Sequence, residues 1–98
     1  MNNVLTQLYN MFILSSMNAY SRAVDLSGGI AGLAKRLQTT PQRVWNWGVR
    51  GVPADRVIII CSATDWLVTP HELRPDIYPH PEDGLPNHLR RREEENEA

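Results

Sequence analysis

The sequence predicts an all-α protein, a compact bundle of about five short helices around one small core. Apolar residues recur at helical spacing in several stretches, and no stretch alternates apolar and polar side chains long enough to build a sheet. A threonine followed by proline, the arrangement that starts a helix without wasting a backbone donor, occurs at Thr40-Pro41 and again at Thr69-Pro70. With 42% apolar and 21% charged residues, the 98-residue chain has an ordinary globular mixture and room for one small domain.

Residues 1–16 form an N-terminal extension. Val4, Leu5, Leu8, Met11, Phe12 and Ser15 share a helical face there, with Asn3, Thr6, Gln7 and Asn10 opposite. Without charged side chains to hold it in water, such a segment is either docked on the domain, used in self-association, or poorly ordered. A further alternative makes Met17 the true translation start, because the organised pattern begins there.

The domain is expected over residues 17–78. Ala19, Tyr20, Ala23, Val24 and Leu26 follow helical spacing, and Gly28-Gly29 ends that helix with residues that tolerate positive φ. Ile30, Leu33, Ala34 and Leu37 make the next stripe, with Lys35 and Arg36 outside. Thr40-Pro41 opens a third helix expected to run to about Trp47, where Gly48 and Gly51 break it. Pro53 opens a fourth, whose buried side is expected to be Val57, Ile58, Ile60 and Cys61; the Pro-Ala-Asp before this β-branched run favours helix over a buried strand. Thr69-Pro70-His71-Glu72 is a capping box that starts a helix of one or two turns ending at Arg74-Pro75. Trp66 is assigned to the core. Residues 79–98, rich in proline and charge, are expected to be a disordered tail.

Composition excludes several classes. The lone Cys61 forms no intrachain disulfide, and with His71, His80 and His88 it makes no zinc-finger spacing. A metal site of His80, Asp83 and His88 and a nucleophile set of Cys61, His71 and Asp65 are both rejected, the latter because the buried face of a helix accounts for Cys61. No catalysis and no cofactor are expected. The apolar run Met11-Phe12-Ile13-Leu14 is too short to span a membrane, so a cytoplasmic protein without membrane contact is expected.

The formal net charge of −1 hides an asymmetry. Residues 22–56 carry Arg22, Lys35, Arg36, Arg43, Arg50 and Arg56 against Asp25 and Asp55, a net of +4, while residues 79–98 carry a net of −3. Two short helices joined by a few residues, with a basic outer surface, have the geometry of a helix-turn-helix DNA reader. Leu33, Ala34 and Leu37 on the first helix meet Val44 and Trp47 on the second, which lie within about 60° of one another on the helical wheel. Gln42, Trp45 and Asn46 fall on the opposite side.

The run Gly28-Gly29-Ile30-Ala31-Gly32-Leu33-Ala34-Lys35-Arg36-Leu37, then Thr40-Pro41-Gln42-Arg43-Val44-Trp45-Asn46-Trp47, Val52-Pro53-Ala54-Asp55-Arg56 and Leu73-Arg74-Pro75-Asp76-Ile77-Tyr78 resembles the YdaS-type, Cro-like helix-turn-helix proteins of bacterial prophages. The resemblance covers roughly residues 17–78 and implies a fold like that of lambda repressor and Cro. It also implies a small prophage repressor, often paired with a partner as a putative antitoxin. Two positions depart from the family pattern: Gln38 stands where glycine is usual and Thr39 where an aliphatic residue is usual, which predicts a strained turn.

Within this reading Gln42 and Asn46 are base-reading amides, suited to adenine N6 and N7, and Trp45 joins them as an exposed indole against a thymine methyl, the sugar edge or a partner protein. Thr40, Arg43, Lys35, Arg36 and Arg50 are candidates for phosphate contact. The expected partner is double-stranded operator DNA, with a homodimer forming on it. The rival reading is an antitoxin that sequesters a toxin protein and autoregulates its operon, with Trp45 and residues 1–16 as the partner surface.

Overall fold

The computed structural model describes residues 18–91, and its elements are five α-helices with two short 3-10 turns; among the described residues there is no strand. The expected residues 1–16 helix and the end of the tail, residues 92–98, lie outside the described residues.

Helix α1 spans Ala19–Leu26 and starts where the Asn18 side chain accepts a hydrogen bond from the Ser21 amide at 2.8 Å. It buries Ala23, while Leu26, placed on its apolar side by the sequence pattern, is 45% exposed. Gly28 and Gly29, with φ of 88° and 96°, turn the chain sharply into α2, Ile30–Leu37. The corner is tight: a Cβ on Gly32 would sit 2.0 Å from the Ser27 carbonyl oxygen. α2 ends at Gln38, which adopts the left-handed conformation (φ 57°, ψ 45°), so the expected strain of a non-glycine residue in this turn is present.

Helix α3 covers Pro41–Arg50. It therefore continues past Trp47, where the sequence predicts an end, and Arg50 is its last residue rather than part of the following loop. Gly48 costs helix propensity, but it faces the Tyr20 ring, where an added Cβ would lie 3.3 Å from Cε2. The Tyr20 hydroxyl donates to the Val44 carbonyl at 2.6 Å, so α1 clasps α3 across this narrow contact. The break comes at Gly51, with φ 108°.

A 3-10 turn, Ala54–Arg56, leads into α4, Val57–Ala63. Val57, Ile60 and Cys61 are buried at helical spacing, whereas Ile58 and Ile59 are 36% and 42% exposed. The expectation that Ile58 belongs to the buried side is thus corrected, because one step along a helix turns it about 100° away from Val57. Thr69 caps α5, Pro70–Leu73, through a complete capping box with Glu72.

The core is continuous. Leu33, Ala34 and Val44 bury the crossing of α2 and α3, and Ala23, Val52, Val57, Ile60, Cys61 and Val68 form the centre beneath; half-buried Tyr20, Leu37 and Trp47 pack against both groups. Trp66 packs on the lower group in a left-handed conformation, φ 64°.

The segment after Pro79 differs from the disordered tail expected there. Residues 79–91 carry turns and the 3-10 helix Asn87–Leu89. The Asp83 carboxylate accepts from the His80 amide at 2.9 Å, Glu82 accepts from the Arg91 amide at 2.9 Å, and the Arg90 guanidinium donates to the Leu85 carbonyl at 3.1 Å. Gly84, at φ 80°, lies so close to Pro70 and Tyr78 that a Cβ there would meet them at 2.9 Å and 3.0 Å. Prolines that already restrict the unfolded backbone and a glycine that lets it approach α5 hold the segment with few apolar side chains.

Candidate nucleic-acid interface

α2, the turn Gln38–Thr40 and α3 form a helix-turn-helix in which the second helix presents one full side to solvent. The turn is short because Gln38 reverses the chain in one left-handed step and the Thr39 amide returns to the Ala34 carbonyl at 2.9 Å. The Thr40 hydroxyl accepts from the Arg43 amide at 3.2 Å, and Pro41 occupies the first helical position.

Val44 points into the core and Trp47 is half-buried beside it; Gln42 is exposed on the outer side, and Asn46, one turn further on, is half-buried next to it. Gln42 Nε2 donates to Asn46 Oδ1 at 3.2 Å, which holds the two amides side by side with Gln42 Oε1 and Asn46 Nδ2 free to turn toward a ligand. Arg43 and Arg50, both exposed, flank this row on one side. Trp45 and Val49, at 56% and 66% exposure, flank it on the other, where they border a groove shared with α1.

Cations differ in what they touch. Arg22 pairs with Glu72 at 3.1 Å and Arg74 with Asp76 at 2.7 Å, away from α3. Arg36 Nη1 donates to the Ala63 carbonyl at the end of α4, at 2.6 Å, which ties it to the fold and sets it apart from the other phosphate candidates. Lys35, Arg43 and Arg50 are exposed and make no ion pair among the described residues. Arg56 stands over the Trp47 ring with its guanidinium carbon 5.8 Å from the centroid, a cation that the sequence reading did not single out. Nothing local predicts it, since Arg56 lies in the 3-10 turn beyond the break at Gly51 that ends the helix of Trp47.

Over residues 20–82 the chain matches the model of a family described as bacterial toxin YdaS. The chain belongs to this YdaS family. No curated protein and no solved structure matches it. The YdaS match spans α1 to α5 and runs beyond Pro79 into the segment packed on α5, further than the resemblance read from motifs alone. It includes Leu73–Tyr78, whose role is now physical. Arg74 Nη1 donates to the Val52 carbonyl at 2.6 Å while its Nε and Nη2 grip both Asp76 carboxylate oxygens at 2.9 Å and 2.7 Å. Those bonds hold Asp76 below the usual carboxylate range and raise Arg74. The bracket fixes the loop that leaves α3.

Burial, with the Glu72 charge adding to it, pushes the Cys61 thiol up to about 12, so it stays neutral and unreactive at neutral pH. His71 Nδ1 meets the Tyr78 carbonyl at 2.8 Å, which makes it the donor nitrogen. Among the described residues no group of three or more His, Cys, Asp or Glu is placed to hold a metal ion, and no helix is long and apolar enough to cross a membrane.

Proposed function

We propose that this chain is a sequence-specific, duplex-DNA-binding transcriptional regulator, a Cro-like repressor of a prophage switch that acts in the cytoplasm and has no catalytic role. The observation that carries the reading is the pair Gln42 and Asn46 on the outer side of α3, hydrogen-bonded to one another and bordered by Arg43 and Arg50, which make no ion pair among the described residues. Phosphate contacts from Lys35, Arg43, Arg50 and the capped start of α3 set register, and the amides choose sequence in the major groove. Occupancy of an operator, by two copies where the site is palindromic, then blocks polymerase.

The family's description as a toxin favours a second reading, in which the chain works within a toxin–antitoxin pair and its contact with a partner protein is the main event. Binding of the purified chain alone to DNA from upstream of its own gene separates the two, because a regulator needs no partner there. On that DNA, Gln42→Ala is expected to lose about 1 to 3 kcal/mol while binding to random DNA hardly changes. Equal loss on both DNAs places Gln42 against the backbone, and no binding to either rejects the reading. With Lys35, Arg43 and Arg50 as the neutralising cations, the log–log salt slope is expected near about −3.

A further inference from the structure

DNA reading uses the outer side of α3 and leaves Trp45 and Val49, two large apolar side chains, open to water on its flank. They border a groove of about 420 Å³ walled chiefly by Tyr20 and Val24 of α1, Ile30 at the start of α2, and Val44, Trp45 and Val49 of α3. Asp25 is the one formally charged side chain on those walls, and burial pushes the Tyr20 phenol up to about 12, which keeps it neutral. A concave apolar surface of this size is in the range that holds two large side chains of a ligand.

We propose that the groove is the docking site for residues 1–16 of the same chain, with Leu8 and Phe12 seated between α1 and α3. Position supports this occupant first. The described chain begins at Asn18, the cap of α1, and Tyr20 and Ser21 of the first turn belong to the groove walls, so the point at which residues 1–16 are tethered stands beside the groove. Chemistry supports it second. Residues 1–16 have no charged side chain, and Val4, Leu5, Leu8, Met11 and Phe12 lie on one side of a helical pattern whose other side is Asn3, Thr6, Gln7 and Asn10. An apolar groove takes the first set and leaves the second in water.

Tethering supports it third. A short linker holds a segment near its site at an effective concentration on the order of millimolar, so a separate partner of equal affinity must reach that level to displace it. Docking makes Trp45 a wall of the groove and removes it from the base-reading set. Gln42 and Asn46 remain available, because they lie about 60° to 100° further round α3.

The test uses the full chain, labelled with 15N and exposed to a soluble paramagnetic gadolinium chelate. In the parent, the Trp45 indole N–H and the Val49 amide are expected to be shielded by the docked segment, and exposed to the chelate once docking is prevented. Combining Leu8→Asp with Phe12→Asp should raise their relaxation enhancement severalfold and leave the amide of buried Leu33 unchanged. Val49→Glu, on the groove rim, should expose the Leu8 and Phe12 amides in the same way and decides the matter if the double variant unfolds. Equal exposure of Trp45 in parent and variants overturns the proposal. Shielding that fades on dilution also overturns it, by making a second copy the occupant.

Discussion

Both α3 and α5 start from Thr-Pro, and in each the threonine hydroxyl accepts from the amide three residues on, Arg43 or Glu72, at 3.2 Å. At α5 the third residue is an acid. Its carboxylate takes the Thr69 amide at 3.0 Å and pairs with Arg22 at 3.1 Å, so the positive end of the helix is satisfied from within the fold. At α3 the third residue is a cation, the first turn contains no acid, and the exposed start presents Arg43 outward. One local signature thus serves two purposes, decided by the sign of one side chain: a closed helix start fastens the domain, and an open one suits an anionic ligand.

The sharpest way to break this contrast is to give α3 the closing acid. Arg43→Glu creates the same capping box and should leave the melting temperature unchanged or higher. Affinity for operator and random DNA alike should drop by about tenfold or more at moderate salt, since one phosphate contact becomes a repulsion. Unchanged affinity in a fluorescence-anisotropy titration would separate the open start of α3 from DNA binding.

The converse change has a smaller effect and of another kind. Glu72→Ala opens the start of α5 and should cost about 1 kcal/mol of stability by chemical denaturation, with DNA affinity intact. Its pH dependence follows from the direction of its shift. Burial alone raises the Glu72 carboxyl, but the Thr69 amide and Arg22 outweigh it and hold the group below the ordinary carboxylate value. The stabilisation is therefore full above that ordinary value and is lost as pH falls through the lowered one, so the parent should lose its advantage over Glu72→Ala in acid. An advantage that persisted there would place the stabilisation elsewhere. The smallest effect is expected for Thr40→Ala, about 0.5 to 1 kcal/mol at an exposed cap without a box, measured by thermal melting.

Helix starts were legible in the sequence because a cap is a local bond, made by residues three apart at Thr40 and Thr69. So was the crossing of α2 and α3, where Leu33, Ala34 and Val44 obey one period. The end of α3 was not legible, since only the distant Tyr20 ring explains a glycine inside the helix. Ile58 was misplaced for a related reason: in an unbroken β-branched run, composition does not tell which residue faces the core, and geometry does. Residues 79–91 are ordered through contacts of Gly84 with Pro70 and Tyr78, which no count of apolar residues in the segment records. On the candidate interface, Gln42 and Asn46 could be placed on the outer side from the wheel alone, whereas the tie of Arg36 to Ala63 depends on how α4 packs.

The bracket made by Arg74 has a consequence for a chain as it is synthesised. The Val52 carbonyl, at the exit from α3, is held by a guanidinium 22 positions later, and that guanidinium is oriented by Asp76. A nascent chain that has released α3 from the ribosome but not yet Asp76 has both helices of the motif and no anchor at the back of the second. Translation order therefore sets a sequence of events, with the turn between α2 and α3 able to form first and the fixed exit of α3 only after the Arg-Pro-Asp segment has emerged.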